Sequence, residues 1–160
     1  MPKKSAGLLL YRLITNIPQV LLVHPGGPFW TKKDIGVWSI PKGEFDETED
    51  PLEAAKRETQ EETGIIVEAA NESFLPLFPV KQKSGKIVFA WALEWNGNAG
   101  EIKSNLFEME WPPKSGKKQF FAEVDKFEWF TISEAKEKII AAQLPLLEQL
   151  EDKLPEIWNK

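Results

Sequence analysis

Between Gly43 and Ile65 the chain carries nine acids and only two bases, and that crowding limits what it can fold into more than any other feature. The second half of the segment is marked as a helix. Asp50 stands at an N-cap position, Pro51 at the first helical position, and Glu53 three residues after Asp50 completes a capping-box spacing. Gly64 supplies a left-handed stop, so the expected helix covers 51–63. On the helical wheel Leu52, Ala55 and Thr59 share a side that faces a sheet, while Glu58, Glu61 and Glu62 share another at i, i+3 and i+4. Like charges so spaced cost about 0.2–0.5 kcal/mol per pair, and Glu61 and Glu62 also lie at the negative end of the helix dipole. Such a face wants a compensating cation. Oxygen-only ligation favours a hard one, Mg2+ first and Mn2+ second. Ala54 and Ala55, beside the acidic face, are expected to leave room for an ion and a phosphate. Arg57, one of two arginines in the chain, lies four residues from both Glu53 and Glu61. Its planar fork can hold Glu61 in one rotamer.

The rest of the chain holds 16 acids and 18 bases, so the net charge of −5 comes wholly from this segment. An acidic chain is a poor binder of bulk nucleic acid or anionic membrane. No run approaches the ~18 apolar residues that span a bilayer, and no export signal is evident, so a cytoplasmic monomer or homodimer is expected. At 160 residues and 42% hydrophobic, the chain is read as one domain, 1–160, with its own core. The lack of cysteine removes disulfides, Cys-ligated zinc and thiol nucleophiles. The single histidine, His24, excludes a His-cluster metal site and is read as a surface or packing residue.

Strands are expected at 7–13, 19–23, 36–40, 65–68, 74–82, 86–95 and 128–131, with a turn at Ser84–Gly85. Pro25–Pro28 and 111–118 read as loops. Ser133 is expected to cap a helix through about Ala142, and a further amphipathic helix follows at 144–154. The order is that of a mixed α/β domain.

The run Gly-Glu-Phe-Asp-Glu-Thr-Glu-Asp-Pro-Leu-Glu-Ala-Ala-Lys-Arg-Glu-Thr-Gln-Glu-Glu-Thr-Gly-Ile, from Gly43 to Ile65, resembles the Nudix box G-x5-E-x7-R-E-U-x-E-E-x-G-U. Gly43, Glu49, Arg57, Glu58, Glu61, Glu62, Gly64 and Ile65 match. Thr59 stands where the family has a large aliphatic residue, which puts helix packing in question rather than the metal site. The resemblance implies an α/β/α sandwich with a mixed central β-sheet, and Mg2+-dependent attack of water on phosphorus in a nucleotide. By matching position it implies Glu58, Glu61 and Glu62 as metal ligands, Arg57 as the residue that orients Glu61, and Glu49 as a supporting carboxylate beside Gly43 and Gly64. Glu61 is the first choice of general base, with Glu108 and Glu110 as later candidates.

Trp38-Ser-Ile-Pro-Lys-Gly43 resembles the start of the box in the diadenosine-tetraphosphate hydrolase branch, which makes Lys42 a candidate phosphate contact and Trp38 a candidate site residue. The stretch 107–116, with Lys117, Lys118 and Phe120, resembles a bacterial subgroup of Nudix nucleotide pyrophosphohydrolases. Trp111, Lys117 and Phe120 are candidates for stacking a base and holding a polyphosphate tail; a structural turn with Trp111 and Phe120 in the core is the alternative. The expected partner is a small nucleotide, first a dinucleoside polyphosphate. The alternatives are an ordinary or oxidised nucleoside triphosphate, or a non-catalytic nucleotide-binding module.

Overall fold

The computed structural model describes residues 2–97 and 106–158. Its centre is β1 (Lys4–Ile14), where every residue from Ser5 to Tyr11 is buried. A strand buried on both faces needs a cover on each side, and the chain supplies one. The sheet runs β4 (Leu75–Pro76), β6 (Ile87–Glu94), β1, β2 (Ile17–Pro25), β9 (Val124–Thr131); β3 (Lys42–Phe45) pairs with the start of β1 and β5 (Val80–Lys81) with β6. β1 and β6 are parallel and the other pairs antiparallel, so the sheet is mixed.

Alternation along β1 divides the core. Ala6, Leu8 and Leu10 join Ala54 and Ala55 of α1 (Pro51–Thr63) on one face. Leu9 and Tyr11 join Ile132 and Ala135 of α2 (Ile132–Lys138) and Leu146, Leu147, Leu150 and Leu154 of α3 (Leu144–Trp158) on the other. The result is the expected α/β/α sandwich with a mixed central sheet. A separate two-stranded sheet, β7 (Leu106–Glu110) with β8 (Lys118–Ala122), carries 111–117 as its connecting loop. No described helix is long and apolar enough to cross a membrane.

Several local expectations change. The span 36–40 is not a strand but two isolated bridges, Ser39 to Val23 and Trp38 to Ile139, and the strand begins after Pro41 instead. Residues 65–68 are irregular, and 74–82 breaks into two short strands around Pro79. Thr131, not Ser133, caps α2, because only Thr131 has a glutamate, Glu134, three residues on. That helix stops at Lys138, and α3 continues past Leu154 to Trp158. His24 is 1% exposed, a packing residue and not a surface one.

Candidate active site

The helix that carries the acidic face is built as its sequence dictates. The Asp50 side chain accepts from the Glu53 amide at 3.1 Å, and Gly64 at φ 82° closes the end by donating to the Gln60 carbonyl at 2.7 Å. The side turned to the sheet is small: Ala54, Ala55, Thr59 and Thr63 are all buried. Thr59 replaces a large aliphatic residue without an orphaned hydroxyl, since its Oγ1 donates to the Ala55 carbonyl at 2.8 Å. The two alanines are fully buried in the core, so they do not border space for an ion, contrary to expectation.

Arg57 organises the opposite face. Its Nε and Nη2 donate to the two oxygens of Glu49, each at 2.8 Å, a bidentate pair. Its Nη1 donates to Glu58 at 2.8 Å and to both oxygens of Glu61 at 3.1 Å. One guanidinium thereby fixes three carboxylates. Hydrogen bonding to Glu49, and then to Glu61 and Glu58, pushes Arg57 further above its usual range, while the same bonds hold Glu49 below the usual carboxylate range.

Glu58 and Glu62 are the strained members. Burial raises Glu58, against the pull of Arg57. Burial pushes Glu62 up to about 8, offset in part by the Lys42 amide, which donates to its Oε1 at 3.2 Å, and by the Lys42 charge. Desolvation drives Lys42 down at the same time, so both members of that adjacent pair lean towards neutrality. Gly43 lies against the Glu58 carboxylate; a Cβ there would overlap its Oε2, Cδ and Oε1. Register explains the crossing at this point. Ala6 and Gly43 are partners on the α1 face, and Gly7 and Lys42 are partners on the other.

Among the described residues no three acidic or histidine side chains are already gathered closely enough to hold one ion. Glu58 and Glu61 are turned onto Arg57, and Glu62 onto the Lys42 amide. The donor chemistry nevertheless fits a divalent cation. The set is all oxygen, and burial penalises two of its charges, which a cation beside them would relieve.

One member was not legible in the sequence. Glu123, at the corner between β8 and β9, is raised by burial and by the charge of Glu61, and its own charge raises Glu58 and Glu62. An acid at the corner between two strands has no spacing signal. Only the pairing of β2 with β9, closed by the Gly26 amide donating to the Glu123 carbonyl at 2.9 Å, brings it to α1.

The remaining candidates separate. Trp38 is 1% exposed, with His24 and Phe130 edge-on to its ring and its Nε1 donating to Asp34 at 2.9 Å. It is a core residue with no surface for a substrate, because the chain enters the core at Trp38 and leaves it only at Lys42. In the β7–β8 hairpin directly opposed residues share a face. Phe107, Met109, Gln119 and Phe121 define one face, which meets Gly27 through Phe107, and Trp111 continues it to pack edge-on against Phe29 at 5.4 Å. The Trp111 amide donates to the Lys117 carbonyl at 2.9 Å. Glu108, Glu110, Lys118 and Phe120 lie on the other face, where Phe120 is 65% exposed and Lys118 pairs with Glu108 at 3.6 Å. The hairpin therefore brings Trp111 and Lys117 together and keeps Glu108, Glu110 and Phe120 apart from them.

A mixed sheet between helices, with a capped helix presenting Arg57-bound glutamates at its edge, defines a Nudix-type sandwich. A family pattern described as the NUDIX domain matches residues 2–150, and the chain belongs to this family. It is 36% identical over 104 residues to the RNA pyrophosphohydrolase of Bartonella henselae, covering 58% of this chain and 55% of that protein. It is 41% identical over 68 residues to Nudix hydrolase 25 of Arabidopsis thaliana, covering 40% of this chain and 38% of that one. The chain thus matches only about half or less of the length of these curated relatives. In structure it is similar to a C. elegans Ap4A hydrolase binary complex, with TM-score 0.67 and 24% identity over 96% of this chain and 98% of that one. It is also similar to the NUDIX domain of Shewanella oneidensis NrtR complexed with ADP ribose, with TM-score 0.68 and 19% identity over 96% and 89%. Likeness at these identities establishes the fold alone.

Proposed function

We propose that the chain is a divalent-metal-dependent hydrolase that cleaves a phosphoanhydride bond of a nucleoside polyphosphate by attack of water on phosphorus. The observation that carries this reading is the single guanidinium of Arg57 bonded to Glu49, Glu58 and Glu61, with Glu62 and Glu123 in the same electrostatic field. Glu58, Glu61 and Glu62 would hold the ion, Mg2+ before Mn2+. Once bound, it supplies Lewis-acid screening of phosphate charge and a more acidic water. Arg57 fixes the rotamers of Glu58 and Glu61, and Glu49 anchors Arg57. Glu61 is the first general base, and Glu123 replaces Glu108 and Glu110 as the acceptor from a later loop, since those two lie on the outer face of the hairpin. Lys42, whose amide donates to Glu62, would hold that carboxylate in place beside the ion.

The preferred substrate is a dinucleoside polyphosphate such as diadenosine tetraphosphate, with Trp111, packed on Phe29, and the adjoining Lys117 as its contacts. The 5′ end of a triphosphorylated RNA is the second reading, favoured by the name of the Bartonella relative. A net charge of −5 does not oppose it, because a 5′ end asks only for its terminal phosphates to be held. The test is hydrolysis of each substrate with Mg2+, products resolved by chromatography. Asymmetric cleavage of the dinucleotide supports the first reading. Pyrophosphate release from RNA with the dinucleotide untouched replaces it with the second, and no turnover of either, or of nucleoside triphosphates, defeats both.

A further inference from the structure

His24 is the only histidine in the chain and takes no part in the site above. Its ring is buried, and both nitrogens are engaged: Nδ1 lies 2.9 Å from Asp125 Oδ1 and Nε2 lies 2.7 Å from the Lys33 carbonyl oxygen. A carbonyl and an ionised carboxylate only accept. A neutral imidazole has one donor and one acceptor, so only the doubly protonated ring satisfies both partners.

Where those bonds fall matters. His24 pairs with Lys126 and Pro25 with Val124, so the register slips there and Asp125 is left as the extra residue of a β-bulge. Bulges re-aim side chains. This one turns Asp125 onto His24 and lies two residues from Glu123. The Gly26 amide bonded to the Glu123 carbonyl closes the corner, and a Cβ at Gly26 would overlap the Ala122 carbonyl. The Lys33 carbonyl ties the far end of the intervening loop to the same ring.

We propose that His24 is a positioning residue for Glu123: as an imidazolium it fastens the Asp125 bulge and the loop at 26–33 to the end of β2, and thereby sets the corner from which Glu123 projects. This rests on the reading that Glu123 works with the α1 carboxylates. Loss of the Nδ1 proton turns a lone pair onto Asp125 and loosens the corner. Trp38, edge-on to the imidazole, carries Lys126 over its own ring and donates to Asp34, which pairs with Lys138; Asp125 is the acid in direct contact with His24.

The experiment uses the full chain. With one histidine, nitrogen-15 NMR of the imidazole is free of assignment ambiguity. Two protonated ring nitrogens are expected, one for each accepting partner. In Asp125→Asn the amide can donate to a bare Nδ1, so that variant is expected to hold a singly protonated ring. A single protonated nitrogen in the wild type at pH 6 overturns the proposal.

The functional arm compares His24→Phe, Glu123→Gln and the double variant, with His24→Gln in place of the Phe variant if that fails to fold. His24→Phe is expected to lower kcat about 10-fold or more with KM within about twofold, and to add nothing to Glu123→Gln. It is also expected to move the carbon-13 signal of the Glu123 carboxylate, identified by its loss in Glu123→Gln, a readout that needs no turnover. Additive losses, or an unmoved signal, overturn the proposal. An inert Glu123→Gln defeats instead the reading of Glu123 on which it rests.

Discussion

Gly43 offers the sharpest separation of catalytic geometry from stability. It has no positive φ among the described glycines, so alanine suits its backbone and the substitution acts through one methyl group. That Cβ would overlap Oε2, Cδ and Oε1 of Glu58, where ordinary contact begins near about 3.5 Å, so the carboxylate must withdraw by more than about 1 Å. The displaced group is the free end of a flexible side chain, and its withdrawal costs little. The 2.8 Å pair with Arg57 weakens, an interaction of about 0–1 kcal/mol at a site where Arg57 is 39% exposed. Relief of the burial that raises Glu58 works the other way. Tm should therefore move by no more than about 2–4 °C. A misplacement of about 1 Å in a group that must hold the ion costs on the order of 100-fold in rate. Steady-state kcat with saturating nucleotide and Mg2+, beside a thermal melt, reads both. Shortening the partner with Glu58→Asp should make room for the methyl, so Gly43→Ala should cost less in that background. Unchanged turnover in Gly43→Ala, or a protein that no longer folds, would refute the reasoning.

Arg57→Lys keeps the charge but cannot fork, so kcat and metal affinity should each fall about 10–100-fold, measured by turnover and by Mn2+ titration. In metal-free protein, Glu62 has a folded pKa above its unfolded value. Its contribution is fully present below the unfolded value and is lost as pH rises through about 8. Melts at pH 5 and pH 9 should accordingly find Glu62→Gln close to wild type at the first and more stable at the second, while activity is lost. Trp111→Ala should raise KM at nearly constant kcat, and Phe120→Ala, on the outer face, should change neither; steady-state kinetics with the best substrate decide.

What could be read beforehand was local. The caps of α1, its buried small side and the Arg57–Glu61 spacing all lie within one or two helical turns, and periodicity and charge report them. The strand at Lys42–Phe45 has no local signal, because its partner is the distant start of β1 and its pattern of exposure has little alternation of its own. Thr131 and Ser133 are both N-cap types, and only the glutamate three residues after Thr131 separates them. Glu123 and the His24–Asp125 contact depend on β2 meeting β9 across about a hundred residues. Trp38 misled for a related reason: the motif gave its place in the chain, and only packing against Phe130 and His24 decides that its ring is core.

The central claim is that a divalent ion held by Glu58, Glu61 and Glu62 supports attack of water on phosphorus. Hydrolysis of diadenosine tetraphosphate in oxygen-18 water, with products followed by phosphorus NMR and mass spectrometry, tests it most directly. The wild type should place one heavy oxygen on a product phosphate, stop on chelation and resume with Mg2+, and Glu61→Gln should abolish the signal. Turnover indifferent to chelation and to Glu61→Gln would contradict it.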